Sequence, residues 1–312
     1  MVIDDLAIQK ARSGLTLWRL LKLYGIKRST YYGWFNEVER DKRERQHCRS
    51  PLPEEVKAVL EFRALHRDIG YRKLTWLMND AGVAFLAEST VYQILLKHNL
   101  LNGWNRSAND DTAKEYRHKP SRVHEHWHTD IAYIKVRGIF YFLIMVLDGY
   151  SRYVLDWELM PDMLGRTVED FIQRVKDKYP HAKPKLIHDN GSQFISTDFK
   201  KLVTQLEIQQ VFTRRNHPQT NGKAERWNGL VKQEAIRPAC PESYQEACTV
   251  IGDYVDMYNN RRLHAGIKFL RPADMFFGRA AAILSQRKER IATARAVRLA
   301  TNRSTEVSNF GA

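Results

Sequence analysis

Three acidic residues stand where their surroundings make an acid informative. Asp130 interrupts the apolar and aromatic run WHTDIAYI, Asp189 closes a short strand-like segment in KLIHDNGSQF, and Glu225 falls in the helix predicted within TRRNHPQTNGKAERWNGLVK. A carboxylate inside a strand or at its mouth costs free energy unless it is paired, solvated or bound to a metal. Three carboxylates that converge repel one another and call for cations. Mg2+ suits them best, as a hard ion held by few carboxylates together with waters and substrate phosphate oxygens. Two such ions about 3.5–4 Å apart activate a nucleophile and stabilise the leaving oxygen of a phosphodiester. Taken singly, each acid reads as an ordinary solvated surface charge; the chemistry depends on their meeting.

The elements that must position them are legible on either side. Residues 185–188 read as a short strand, and Asp189, Asn190 and Gly191 as the turn that leaves it, because Asn and Gly tolerate the backbone angles of a sharp exit. Pro218 suits the approach to a helix, and Asn221 and Gly222 are cap-like. Asn228, Gly229 and Lys232 then share a face with Glu225 by i+3, i+4 and i+7 spacing. Thirty-five residues separate Asp189 from Glu225, and Lys232 follows Glu225 by seven.

The three acids, the DNGSQF turn and the HPQTNGKAER segment resemble the catalytic domain shared by retroviral integrases and the integrase-like DDE transposases of bacterial insertion sequences. That family has its last two acids separated by 35 residues and a Lys or Arg seven residues after the Glu. The resemblance runs from about Val123 to Gly278 and takes in LDGYSRYVLDWEL and YNNRRLHAGIKFLRPADMF. It implies an α/β fold: a ribonuclease H-like mixed five-stranded sheet with flanking helices, preceded by small all-α helix-turn-helix domains. Asp130 would lie on the central first strand, Asp189 after the fourth strand and Glu225 on a facing helix. It implies two Mg2+ ions held by Asp130, Asp189 and Glu225, with Mn2+ able to substitute. It also implies double-stranded DNA partners, both element ends and target, and a homo-oligomer assembled on paired DNA ends. Lys232 would steady a terminal phosphate, and Asn190, Gln219 and Asn221 would position loop or DNA near the metals. The expected activity is a DNA transposase that cuts element ends and joins the 3′-hydroxyl to target DNA. The alternatives are a catalytically silent, domesticated DNA-binding regulator of the same fold and a metal-dependent nuclease without joining activity.

Taken in order, the chain suggests six segments. Residues 1–36 outline a helix-turn-helix: Leu17, Leu20, Leu21 and Tyr24 recur at helical spacing, Gly25 ends that helix, and Ser29 caps the next. Arg28, Ser29, Thr30 and Tyr32 would start the second helix, where base edges are usually read. Residues 37–52 form a charge-dense linker. Residues 53–101 form a second helical DNA-binding domain of three helices, opened by Pro53 with Glu54 and Glu55 in its first turn, with Ser89 capping the third. Arg72, Lys73 and Tyr92 are its candidate DNA contacts. Residues 102–122 lack apolar periodicity and read as a linker. Residues 123–278 give strands near 126–136, 139–147 and 151–159, the last two joined tightly at Asp148-Gly149, then a helix over 165–179, the strand 185–188, a helix near 196–206, the strand IQQVF, the Glu225 helix and a helix over 242–260. Residues 279–312 predict a basic helix with a disordered end after Ser304.

Composition bounds the partners. The 312 residues carry a net charge of +14, with a pI near 9.6, which favours a polyanion. Residues 1–122 hold 22 basic and 15 acidic side chains, residues 123–278 hold 21 and 19, and residues 279–312 hold 7 and 2. The surplus therefore lies on the flanks. Cys48, Cys240 and Cys248 form no CxxC pair. No signal peptide opens the chain and no apolar run is long enough to span a membrane, so a cytoplasmic protein, at the nucleoid when DNA-bound, is expected.

Rival constellations are weaker. In a strand, His124, His126, His128 and Asp130 would alternate onto one face as zinc ligands, but that leaves Asp189 and Glu225 without a role. Cys48 has no second Cys nearby, so a zinc-binding His/Cys module is not expected. Asp148 suits the hairpin turn, Asp156 and Glu158 suit an exposed strand face, and Ser151 lacks a GxSxG elbow.

Overall fold

Alternation sets the centre of the molecule. Along β1 (His126–Val136), Ala132, Ile134 and Val136 are buried while Tyr133 and Lys135 are exposed, the period of two that a strand imposes. The computed structural model describes residues 2–37, 49–101, 119–189, 191–212 and 221–310. In it β1 is the middle strand of a five-stranded sheet of order β3-β2-β1-β4-β5. β2 (Ile139–Asp148) and β3 (Val154–Met160) continue from β1 as antiparallel neighbours. β4 (Lys185–His188) and β5 (Gln209–Phe212) run parallel to β1 on its other side. Parallel pairing requires crossover connections. These contain α7 (Gly165–Lys178), then the short α8 (Ser192–Ile195) and α9 (Thr197–Gln205). This is the ribonuclease H-like mixed sheet with flanking helices.

Each face of the sheet buries its own apolar set. Ala132, Ile134, Leu143 and Met145 pack against α10 (Gly222–Val231) and α12 (Tyr244–Asn260) through Ala224, Trp227, Val231, Ile251 and Tyr258. Trp127, Ile144 and Val146 pack against α7 and α9 through Val168, Phe171, Ile172, Phe199 and Val203. Each buried Val, Leu, Ile, Phe or Met among them contributes roughly 1.5–3 kcal/mol. Along the second half of β1 only the face toward α10 stays covered, where Ala132, Ile134 and Val136 are buried.

Several local expectations change. The β2–β3 turn is longer than a tight Asp148-Gly149 hairpin, since β2 ends at Asp148 and β3 begins only at Val154. Asp148 is fully buried, and its carboxylate accepts from the backbone N–H of His124 (2.8 Å) and from both the N–H (2.8 Å) and hydroxyl (2.6 Å) of Ser151. Gly149 is pressed so close to β1 that a Cβ there would stand 2.9 Å from His128 Nε2. Asp156 and Glu158 do not face solvent freely: Arg174 and Lys178 of α7 pair with them at 2.7–3.1 Å. On the edge strand β3, the Asn259 amide takes both the N–H (2.9 Å) and the C=O (3.0 Å) of Val154, satisfying backbone groups that an edge leaves open.

The chain divides into two compact units, one of residues 1–50 with 296–312, the other of residues 51–295. In the first, α1 (Val2–Ser13), α2 (Leu17–Leu23) and α3 (Arg28–Glu37) share a small core of Leu6, Leu20, Leu21 and Tyr31. Gly25, at φ +64°, ends α2 as expected, whereas Tyr24 is 53% exposed. Ser29 lies inside the first turn of α3 rather than capping it. In the second, α4 (Pro53–Leu65), α5 (Tyr71–Asp80) and α6 (Glu88–Lys97) pack through Val59, Leu74, Met78, Val91 and Leu95. Ser89 is likewise inside α6, because the helix opens at Glu88, whose carboxylate accepts from Trp76 Nε1 at 2.6 Å.

The remaining elements are a π-helical turn (Lys232–Ile236), α11 (Arg237–Ala239), α13 (Pro272–Phe276) and α14 (Ala280–Phe310). The last of these continues past Ser304, where a disordered end was expected. Its Ala- and Arg-rich composition favours helix. Within the second unit, Arg287 of α14 is buried, donates to both Asp80 oxygens (2.8 and 2.6 Å) and to the Phe269 carbonyl (3.0 Å), and lies over the Trp76 ring. One guanidinium thus ties α5, α14 and the loop before α13 together. Among the described residues no helix is long and apolar enough to cross a membrane.

Candidate active site

The sheet order places the two aspartates on neighbouring strands. Asp130 sits on the central β1, on the face that α10 covers, and its carboxylate accepts from Asn228 Nδ2 at 2.9 Å. Burial pushes its pKa up to about 6, and the charges of Asp189 and Glu225 push the same way, against the Asn228 hydrogen bond. Asp189 follows β4 directly, and its Oδ1 accepts from the Gly191 N–H at 3.1 Å.

The residue before Asp189 fixes the strand end. His188 is fully buried, and burial lowers its pKa, so the ring is neutral. Gln210 Nε2 donates to His188 Nε2 at 2.9 Å and to the Phe194 carbonyl at 2.6 Å, which leaves His188 Nδ1 to donate to the Asp189 carbonyl. The strand-to-turn exit is therefore held from β5.

Glu225 comes from the first turn of α10. Its pKa is raised by burial first and by the Asp189 charge second. The helix that carries it is anchored by Asn221, which is the N-cap residue but does not use its side chain as a cap. Asn221 is buried and its Nδ2 donates 2.9 Å to the carbonyl of Thr129, the residue before Asp130. Of the two roles foreseen for Asn221, positioning a loop fits this burial and contacting DNA does not.

Asp130 feels the charges of Asp189 and Glu225, and Glu225 feels that of Asp189. Among the described residues, no three His, Cys, Asp or Glu side chains close on one point as a ready-made metal cage. The donor set is nonetheless all-oxygen, and neighbouring carboxylate charge helps raise the pKa values of Asp130 and Glu225. That is the electrostatic condition a hard divalent cation relieves.

Other candidates fall into place unevenly. Lys232 is half-buried at the end of α10 and is the first residue of the π-helical turn. Arg28, Ser29, Thr30 and Tyr32 are all exposed on the first turns of α3, with the Arg28 guanidinium 5.9 Å from the Tyr32 ring. Arg72 is exposed, donates to Tyr71 Oη at 3.1 Å and pairs with Glu88 at 3.6 Å. Tyr92 is half-buried with its ring 5.1 Å from that of Tyr71. Lys73 is half-buried, and burial and the nearby Arg262 lower its pKa. Asn190, Gln219, Cys48 and most of both linkers lie outside the described residues.

The four-ligand histidine face does not form. His124 precedes β1 with φ +62°, and its ring turns to Trp127, Tyr179 and Phe276 on the opposite side of the sheet. His128 is buried under Gly149 and its pKa falls well below the usual range, chiefly through burial. Sequence reasoning did not foresee that Asn228 would orient Asp130 or that His188 would brace Asp189. The i+3 spacing of Asn228 from Glu225 was the available signal for the first; nothing local marked the second.

A central strand, a neighbouring strand end and a covering helix each carry one of the three carboxylates. Residues 120–218 and residues 206–272 match two families, both described as Integrase core domain. The transposase for insertion sequence element IS904 of Lactococcus lactis is 28% identical over 157 residues, covering 50% of this chain and 61% of that protein. The putative transposase for insertion sequence element IS986/IS6110 of Mycobacterium tuberculosis is 28% identical over 258 residues, covering 77% of this chain and 90% of that protein. The HTLV-2 integrase catalytic core domain in complex with magnesium superposes with a TM-score of 0.39 at 18% identity, covering 50% of this chain and 98% of that one. Residues 120–272 are thus similar to integrase core domains, and the chain is similar to transposases of insertion sequences.

Proposed function

We propose that this protein is a DNA transposase that cuts the ends of an insertion element and joins them to target DNA. The observation that carries this reading is the charge that Asp130 feels from Asp189 and Glu225, on three elements that the sheet brings together. The three carboxylates would hold two Mg2+ ions, which supply activation of the attacking oxygen and charge stabilisation at the leaving oxygen. Asn228 keeps one Asp130 oxygen occupied and so aims the other. The His188–Gln210 brace fixes the backbone from which Asp189 projects, and Asn221 fixes the helix from which Glu225 projects. In the first step a water oxygen bonds to phosphorus at the element end, and the bond to the 3′-oxygen breaks, leaving a 3′-hydroxyl. In the second, that hydroxyl attacks a target phosphodiester in line, and the displaced oxygen takes up the proton. No covalent enzyme intermediate is formed, so no nucleophilic Ser or Tyr is needed.

The proposed division of labour keeps residues 123–278 as the catalytic core. Residues 1–36 and 53–101 would hold DNA, joined by linkers over 37–52 and 102–122, and residues 279–312 would form a basic arm. Oligomerisation on paired ends and a cytoplasmic location complete the reading. One assay tests it: purified protein and Mg2+ with labelled element-end DNA and a target plasmid. Joined product supports transposition. Cut but unjoined ends would reassign the protein as a nuclease, and bound but intact ends as a regulator.

A further inference from the structure

At the end of β4 opposite Asp189 lies a cavity of about 930 Å³, within the size range of small-ligand sites. One wall is the segment that leads into β1, residues 121–125, and another is the loop between α7 and β4. Gln209 of β5 closes a third side. From Lys185 to Asp189 an extended chain advances about 13 Å, and none of the three acids lines the cavity. It is therefore separate from the acid site. The walls are built before any ligand arrives. Glu125 accepts from the Ser121 N–H (2.7 Å) and hydroxyl (2.9 Å) and from the Arg122 N–H (3.3 Å), which folds residues 121–125 back on themselves. His124 is held at φ +62° by its N–H bond to the buried Asp148 carboxylate. Across from it, the buried Lys176 donates to the carbonyls of Pro180 (2.9 Å) and Ala182, which fixes the loop after α7. The Lys185 N–H reaches the Glu125 carbonyl and the Gln209 N–H the Pro184 carbonyl, each at 2.9 Å, so the walls are tied to one another.

The lining is basic. Arg122, Lys178, Lys183 and Lys185 face one carboxylate, Glu125, which has an oxygen committed to the wall. Lys178 and Lys183 already have acids outside the lining, Asp156 and Glu207, each at 2.8 Å. The Arg122 guanidinium and the Lys185 ammonium make no hydrogen bond or ion pair among the described residues. Lys185 is also half-buried, where a charge without a partner is costly. Two neutral donors line the same space. His124 Nδ1 accepts from Trp127 Nε1 at 3.1 Å and burial lowers the ring's pKa, so its proton sits on Nε2. The Tyr179 hydroxyl keeps its proton, since burial pushes its pKa up to about 12. Neither Nε2 nor this hydroxyl has a partner among the described residues. Two unpaired cations and two free donors in one preformed concavity match the charge and the several oxygens of a phosphate.

We propose that this cavity is a phosphate subsite, in which Arg122 and Lys185 hold the charge while His124 and Tyr179 donate to the remaining oxygens. It rests on the transposase reading only for the source of the phosphate, which that reading makes the DNA backbone. A free nucleotide offers the same group, and the experiment separates the two.

The test uses the full chain and two fluorescent duplexes of equal length, an element-end sequence and a random sequence, titrated by anisotropy at several salt concentrations. Deoxyadenosine monophosphate is titrated in parallel by calorimetry. The double variant Arg122→Gln/Lys185→Gln removes both unpaired cations. It is expected to weaken both duplexes together by about tenfold at low salt and to lower the salt slope by about two. Gln209→Glu sets a carboxylate on the lining without removing a side-chain bond, so it keeps the test sound if the double variant folds poorly. It is expected to weaken both duplexes several-fold with the melting temperature unchanged. Loss of deoxyadenosine monophosphate binding in these variants, with both duplexes bound as before, would assign the subsite to a free nucleotide. Unchanged affinity for all three ligands in both variants overturns the subsite. If the wild type never joins DNA while these variants still lose phosphate binding, the transposase reading fails and the subsite stands.

Discussion

The two charged regions flanking α10 are opposites in composition and alike in predicament. On one side, the charges of Asp189 and Glu225 help raise the proton affinity of Asp130, and that of Asp189 helps raise Glu225's. On the other, the charges of Lys73, Arg152, Arg226 and Arg262 depress the basicity of His264. Of the cations, Arg262 has an acid partner, Glu234. A protein shaped only for stability would pair such charges across the helix, as it does for Asp80 with Arg287 and for Asp156 with Arg174 and Lys178.

The contrast is broken most sharply at the acids. Asp130→Asn, Asp189→Asn and Glu225→Gln each delete a charged ligand and little volume. Each is expected to reduce cleavage and joining by about a thousandfold or more, since charge stabilisation at such a site is worth several kcal/mol, while DNA binding in a gel-shift assay persists. Near-wild-type turnover by any one variant removes that residue from the site. Mn2+ is expected to replace Mg2+, and Ca2+ to support binding with little chemistry.

The same acids predict a stability effect of known sign. The folded Asp130 carboxyl has its pKa raised to about 6 from the ordinary 3.8, so the native state holds the proton more tightly than the unfolded chain. Stability therefore falls as pH rises through this window and stays reduced above it, by up to about 3 kcal/mol at 1.36 kcal/mol per unit. In chelator, Asp130→Asn should melt higher than wild type at pH 7.5, with the difference vanishing below pH 4. Added Mg2+ should raise the wild-type melting temperature more than the variant's. Identical melting of the two proteins across this range would mean that Asp130 is not electrostatically strained.

A smaller effect belongs to α3. Arg28→Ala and Tyr32→Ala are expected to narrow the ratio of element-end to random-duplex affinity by about 1–3 kcal/mol for each lost base contact. This is the reverse of the phosphate subsite, where both duplexes weaken together. An unchanged ratio would leave α3 a structural role.

What could be read from the chain follows from how far apart the determinants lie. The strand alternation of β1, the strand–turn at Asp189 and the helix carrying Glu225 are local patterns, and their boundaries are close to those expected. The sheet order followed from the resemblance, since alternation alone gives only a mixed α/β chain. What stayed hidden was contact between distant residues: Asn228 with Asp130, Asn221 with the Thr129 carbonyl and Asn259 with Val154. The cavity likewise joins residues 121–125 to residues 178–185 and Gln209. The histidine run misled for a local reason, because the left-handed backbone at His124 breaks the alternation before β1 begins.

Lys232 is the residue that decides where one charged region ends and the other starts. It closes α10, its N–H bonding back to the Asn228 and Gly229 carbonyls, so α-helical geometry holds from Glu225 as far as this residue. Seven residues turn through about 700° and rise about 10.5 Å, which puts Lys232 on nearly the same face as Glu225 but too far along for an ion pair with it. The π-helical turn that begins at Lys232 widens the backbone and carries Glu234 round to Arg262. Lys232 thus belongs to the acid face, one step before the helix changes course. On the proposed transposase function, a flexible ammonium at that place would reach a phosphate one or two nucleotides from the scissile bond as a point charge. Lys232→Ala should therefore reduce element-end binding and joining together, each by about three- to tenfold at low salt for one lost phosphate contact, and Lys232→Arg should largely preserve both. If Lys232→Ala alters neither binding nor joining rate, Lys232 serves only the helix.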